Sequence, residues 1–200
     1  MIGRHGGLPW RITGRPRRTS AVAVLALALA LVGGSQALAH DEGDDRKGGE
    51  HPSATDARWA AMMIPHHRTG IELTELALEK SENDGVRDLA AESRHDQQRE
   101  LPKLEKVARA GGLEPMPPEK PIRRFNEQQM EKLRELSGPE FDRAWLDVFS
   151  GHHVSAIMMS DVALAGTAGG LAEKLQEQIH DVQLEQLARM NELREEVGEG

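Results

Sequence analysis

The chain has 200 residues, with 25 Lys and Arg against 33 Asp and Glu, and a formal net charge of −8. There are no cysteines, so disulfides, thiolate ligands and an anchor made through an N-terminal cysteine are excluded. The acidic balance also makes nucleic acid a poor partner.

The first 39 residues differ from the rest. Arg4, Arg11, Arg15, Arg17 and Arg18 form a basic start without acids, Ala21 to Val32 is an unbroken apolar run, and Ala37-Leu38-Ala39 supplies an A-x-A pattern. That order is a secretory signal peptide, cleaved near Ala39. A 12-residue run is also short for a membrane span, so no stable insertion is expected after cleavage. Export to the periplasm or the medium follows. Losing five arginines and no acids leaves 20 basic against 33 acidic residues.

Residues 40–54, rich in Gly, Asp and Glu, are expected to be a disordered tether. Ser53 or Thr55 can cap a helix from about Asp56 to Lys80, with Trp59, Met62, Met63, His66, Gly70, Leu73 and Ala77 at helical spacing. After the turn Ser81–Gly85, a second helix reaches about Ala110, carrying Val86, Leu89, Ser93, Gln97, Leu101, Leu104 and Val107 on one face. Residues 111–138 form a connector that opens with Gly111-Gly112, is proline-rich, and holds a short helix from about Arg123 to Leu136. Ser137-Gly138-Pro139-Glu140 reads as a capping box, opening a helix to about Ala165 with Phe141, Trp145, Val148, His152, Ala156, Met159 and Val162 inward. The last helix runs from Leu171 through Leu175, Ile179, Gln183, Gln186 and Met190 to Val197.

Residues 56–110 and 139–197 align without a gap at an offset of 86: Trp59 meets Trp145, His66-His67 meets His152-His153, and Gln97 meets Gln183. A lone helical hairpin cannot bury its apolar face, so residues 55–197 are expected to be all-α: one four-helix bundle made of two duplicated hairpins. The long connector favours a ferritin-like crossover over a simple up-and-down order.

Two adjacent histidines in an apolar helix, met twice at matched positions, are the main clue to function. His66 and His152 fall on the apolar stripes, and His67 and His153 on the shoulder. All four lie near mid-helix, so four imidazoles are expected on one level. Buried without partners they would be costly; as neutral rings they ligate transition metals. Met62 and Met63 each precede a histidine by four residues, and Met159 follows His152 by seven. His66, His67, His152 and His153, with Met62, Met63 and Met159, are the candidate ligands. Imidazole plus thioether without cysteine favours copper, as Cu(I) or Cu(II), over zinc or iron. Pro65 and Gly151, just before the doublets, suggest a bend or a close approach at each. His40 and His51 are set aside as tail residues.

A competing pattern is Glu-x-x-His, present as Glu92–His95 and Glu177–His180, the signature of di-iron or di-manganese bundle oxidases. It matches only at an offset of 85 and lies off the apolar faces, so both copies are expected in solvent. No triad, phosphate loop or dinucleotide fingerprint is present, and an enzyme is not expected. A metal-free structural bundle is the third reading. A homodimer is left open.

Met62-Met63-Ile64-Pro65-His66-His67, His152-His153 with Met158 and Met159, and Gln183-Gln186-Leu187-Met190 together resemble the ferritin-like family catalogued as domain of unknown function 305. The resemblance spans about residues 54–195. It implies a duplicated helical bundle, and exported members that bind copper and contribute to copper tolerance. Carried onto this chain, it points to the same four histidines with nearby methionines. Glu72 stands where the second half has Met158, and Leu104 where it has Met190, so the first half is poorer in thioether.

Overall fold

Ser53 opens the first helix by exchanging two hydrogen bonds with Asp56. Its hydroxyl accepts from the Asp56 N–H at 3.1 Å, and its own N–H donates to the Asp56 carboxylate at 2.9 Å. The computed structural model describes residues 51–198 and is helical throughout: α1 (Ala54–Lys80), α2 (Asp84–Ala110), α3 (Lys120–Glu135), α4 (Gly138–Leu164) and α5 (Gly170–Gly198). The signal segment and residues 40–50 of the tether lie outside the described residues. Among the described residues no helix is long and apolar enough to cross a membrane.

Asn83 caps α2 by accepting from the Val86 N–H at 3.0 Å. The helix stops at Gly111, and Gly112 turns the chain at φ +72°, the left-handed geometry that glycine supplies at helix ends. The capping box expected at Ser137 does not form. Ser137 makes no side-chain cap bond, and the chain enters α4 through Gly138 at φ +56°, a left-handed geometry outside the capping-box pattern.

Four helices pack as two antiparallel hairpins, α1–α2 and α4–α5. Helices α1 and α4 are antiparallel neighbours: the Ser53 hydroxyl donates to the Gly166 carbonyl at 3.2 Å near one end, and Trp145 Nε1–H donates to the Leu73 carbonyl at 2.8 Å further along. Helices α2 and α5 are also antiparallel, joined from Lys103–Gln178 through Asp96–Gln186 to Glu92–Arg189. The end of α2 lies beside Ala57, while α4 starts at the opposite end of the bundle. The connector therefore travels the length of the bundle, as a ferritin-like crossover requires. Pro65 helps to hold it. Proline has no N–H, so the Ala61 carbonyl one turn earlier loses its helical donor. The Met116 N–H of the connector fills that vacancy at 2.8 Å.

The core comes in two blocks. Leu73, Val86, Leu89, Met130, Leu133, Phe141, Trp145, Phe149 and Met190 form one. Trp59, Met63, Ile64, Leu104, Val107, Ala156, Leu175 and Ile179 form the other. A polar belt separates them, with His67, Ser93, Gln97, Glu100, Ser150, His153, Gln183 and Gln186 all buried. The 86-residue offset exchanges the two blocks and maps His67, Gln97 and Glu100 of the belt onto His153, Gln183 and Gln186, so the two halves meet about the histidines. Burying so many polar groups at mid-bundle is costly unless they are paired, and several here are not.

Candidate metal centre

The two histidines of each doublet are about 100° apart on their helix, and the bundle sends them to different neighbours. His66 of α1 and His152 of α4 meet face to face, ring centroids 3.8 Å apart and 18° from parallel. His67 turns to α2, where Nε2 lies 2.8 Å from Glu100 Oε2. His153 turns to α5, where Nε2 lies 2.9 Å from the Gln186 amide, while Nδ1 lies 3.1 Å from the Phe149 carbonyl.

This reverses the expected stripe and shoulder. His67 and His153 are fully buried, and His66 and His152 are half-buried. At the doublets the deepest face of α1 and of α4 runs one position away from the expected stripe. On α4 that face is Phe141, Trp145, Phe149, His153, Ala156, Ser160 and Ala163, while Val162 is 57% exposed. The single four-imidazole belt is corrected as well. Among the described residues no three His, Asp or Glu side chains stand close enough to hold one ion together. The doublets share a level but point in three directions.

Hydrogen bonding decides which nitrogens are free. Ser155 Oγ donates to the His152 carbonyl at 3.0 Å, so it accepts Nε2–H of His66 at 2.6 Å. His66 Nδ1 is left as a lone pair. Glu100 accepts Nε2–H of His67, which leaves Nδ1 of His67 as a lone pair. These two atoms, and Nε2 of His152, are sealed from solvent and without a hydrogen-bond partner. His153 differs, since an acceptor oxygen lies against each of its nitrogens, and the neutral ring donates its one N–H to one of them.

Burial is the main reason that the His66, His152 and His153 rings stay neutral. It pushes the His66 pKa down to about 3, with the nearby His67 and His153 adding repulsion. His152 is held well below its ordinary value by burial and by the three other histidines. Burial also brings His153 down to about 4, against the opposing effect of its bonds to Gln186 and Phe149. Although half-buried as residues, His66 and His152 behave as buried groups because the nitrogens named above are enclosed. Asp96 is shifted up, chiefly by burial and then by Glu100 and Glu92.

Gly70 explains how the central rings fit. A Cβ there would lie 2.1 Å from Gln97 Oε1 and 2.6 Å from His152 Nε2. Both of those atoms are unpartnered, as are both amide atoms of Gln183. The close approach expected at Gly151 is found at Gly70 instead, since a Cβ at Gly151 would meet nothing within 4 Å. Gly70→Ala is therefore expected to destabilise the chain by up to about 2 kcal/mol, overpacking of about 1–3 kcal/mol outweighing alanine's helix advantage of about 1 kcal/mol. Urea unfolding of the metal-free protein checks this; equal or greater stability would refute it.

The methionines divide. Met63 is fully buried in the apolar core, whereas Met62 and Met159 are half-buried. Met158 is 47% exposed. The buried Met190 sulfur accepts a hydrogen bond from Ser150 at 3.3 Å. The rival Glu-x-x-His groups do not assemble. Glu92, His95 and Glu177 are exposed, Glu92 is ion-paired with Arg189, and His180 is held by Asp181 at 2.8 Å and Asp161 at 3.4 Å.

The profile of the family described as Domain of unknown function (DUF305) matches residues 56–194. The chain belongs to that family. A DUF305 fragment from Deinococcus radiodurans has a similar structure, 22% identical over 75% of this chain and 99% of that one, with a TM-score of 0.66. A Streptomyces coelicolor DUF305 protein, whose name assigns it to secretion, is 20% identical over 72% of this chain and 94% of its own, with a TM-score of 0.63. The protein CopM in its silver-bound form is 25% identical over 70% of this chain and 95% of that one, with a TM-score of 0.60. CopM is also known in Cu(I)-bound and Cu(II)-bound forms. No curated protein matches the chain.

Proposed function

We propose that this chain is an exported copper-binding protein that sequesters or delivers the ion and catalyses no reaction. The observation behind the reading is the set of enclosed, unpartnered imidazole nitrogens: His66 Nδ1, His67 Nδ1 and His152 Nε2. A bundle core has no use for such atoms, and each costs desolvation energy without return. Neutral imidazole suits copper, and Met62 and Met159, half-buried on the same two helices, supply thioether for Cu(I). The likeness to CopM, known in silver- and copper-bound forms, supports the same ion class.

The discriminating measurement is thermal unfolding with each metal in turn. A ligand bound only by the native state stabilises it by about 2.7 kcal/mol at one hundred times its Kd. Cu(I), Ag(I) and Cu(II) are expected to raise Tm by several degrees at low micromolar concentration, with Zn(II) and Fe(II) well behind. Aerobic loading with Fe(II) and an oxo-bridge absorption band would instead favour an oxidase built on Glu92, His95, Glu177 and His180. No rise with any metal would favour a structural bundle.

A further inference from the structure

The belt is duplicated in sequence but not in charge. Glu100 and Gln186 are equivalent positions of the two halves, and each bonds the second histidine of its doublet, at 2.8 Å and 2.9 Å. One is a carboxylate that is 2% exposed and the other an amide that is likewise 2% exposed. We propose that Glu100 makes the first half of the belt a seat for divalent copper: His67 Nδ1 binds the ion, and the Glu100 carboxylate behind the ring offsets its charge. The proposal rests on the copper-binding reading above and assigns Glu100 as a positioning and charge-compensating residue.

Three observations carry it. Glu100 can only accept from His67, so it fixes the tautomer in which Nδ1 offers a lone pair, and that atom is buried without a partner. The carboxylate is itself fixed, because its other oxygen accepts from Gln178 at 3.0 Å. Among the described residues no lysine or arginine pairs with it, and its hydrogen bonds are to the His67 ring and the Gln178 amide. A buried carboxylate bonded to an imidazole whose far nitrogen is free is the arrangement that orients a ligand and raises its basicity. The second half lacks it. An acceptor oxygen closes off each nitrogen of His153, and Gln186 brings no charge.

The charge gives a quantitative signature. Coulomb attraction between a fixed carboxylate and an ion is proportional to the ion's charge. Removing the carboxylate should cost a divalent ion about the square of the factor lost by a monovalent one. A residue that only orients His67 would cost both ions the same factor.

The test is competition titration of the purified full chain with Cu(II) and with Ag(I), for wild type, Glu100→Gln and Glu100→Asp, with far-UV CD and metal-free melting on each. Glutamine is already accommodated at the equivalent Gln186, so Glu100→Gln is expected to fold. It should lose about tenfold in Ag(I) affinity and about a hundredfold in Cu(II) affinity, the range for an outer-shell partner of a ligating histidine. Glu100→Asp keeps the charge but draws it back from the ring, so it should weaken Cu(II) more than Ag(I), and both by less than Glu100→Gln does. Equal losses in Glu100→Gln, or no loss, would overturn the proposal. Should Glu100→Gln not fold, equal losses of both ions in Glu100→Asp would overturn it alone. Wild type binding neither ion would sink the copper reading itself, a result distinct from all of these.

Discussion

Replacing His66 and His152 together by alanine is expected to lower copper affinity at least about a hundredfold while leaving the fold intact. Removing an outer-shell partner of a metal-bound histidine already costs roughly tenfold to a hundredfold, and this pair carries two of the three free nitrogens themselves. The fold should survive because neither ring anchors a core block. Trp145, Phe141 and Phe149 on one side, and Trp59, Met63 and Ile64 on the other, remain packed. Removing the two rings also removes two buried, unbonded nitrogens, which offsets part of the lost packing. His153→Ala should behave in the opposite way. Its one N–H is donated to the Phe149 carbonyl or to Gln186 Oε1, so its loss leaves one buried acceptor short of a donor, at about 1–3 kcal/mol. Copper titration and urea unfolding of the two variants separate these roles. A double variant that binds copper as tightly as wild type would remove His66 and His152 from the site.

The contrast between those variants marks where sequence stops informing. The helices, the duplication and the ferritin-like order are written in apolar spacing, the 86-residue offset and the length of the connector, because each is a one-dimensional pattern. The direction of a side chain around its helix is less visible. His66 and His67 differ by one position, and the expected stripe put the wrong one deepest. Periodicity locates an apolar face, but α1 presents one face to α2 and another to α4, and which face buries deeper depends on packing. Glu100 was legible in part. It falls on the spacing Ser93, Gln97, Glu100, Leu104, Val107, and a charged residue on a buried stripe is itself a signal. Placing Leu101 on that face instead hid it. The unequal pairing of Glu100 and Gln186 could have been read from the alignment of the halves, once the position was known to be buried. The close approach at Gly70 could not have been, since it depends on His152 arriving from another helix.

Acid is expected to unfold the metal-free protein steeply. His66, His152 and His153 all have folded-state pKa values below the ordinary 6.5, two of them near 3 and 4. Below pH 6.5 the unfolded chain takes up protons at these positions and the folded chain does not. The stability they allow is therefore present above that pH and is lost as pH falls towards 4. Each such histidine costs about 1.4 kcal/mol per pH unit across its window. His66 and His152 are half-buried and weigh less than the enclosed His153, so a combined slope of about 2–4 kcal/mol per unit is expected. Asp96 acts in the opposite sense, since its raised pKa favours the protonated folded form as pH drops, but it is one partly exposed group. A domain stable by about 5–15 kcal/mol would then cross its midpoint only one to a few units below pH 6.5. Copper should move that midpoint lower, because protons must displace the ion before they can charge the rings. The His66→Ala, His152→Ala variant should lose part of the slope, keeping the share of His153, and respond less to the metal. Urea unfolding at pH 7, 6 and 5, with and without Cu(I), measures both. A flat profile from pH 7 to pH 5 would show that these imidazoles are not held neutral by the fold, and would weaken the case for their lone pairs as ligands.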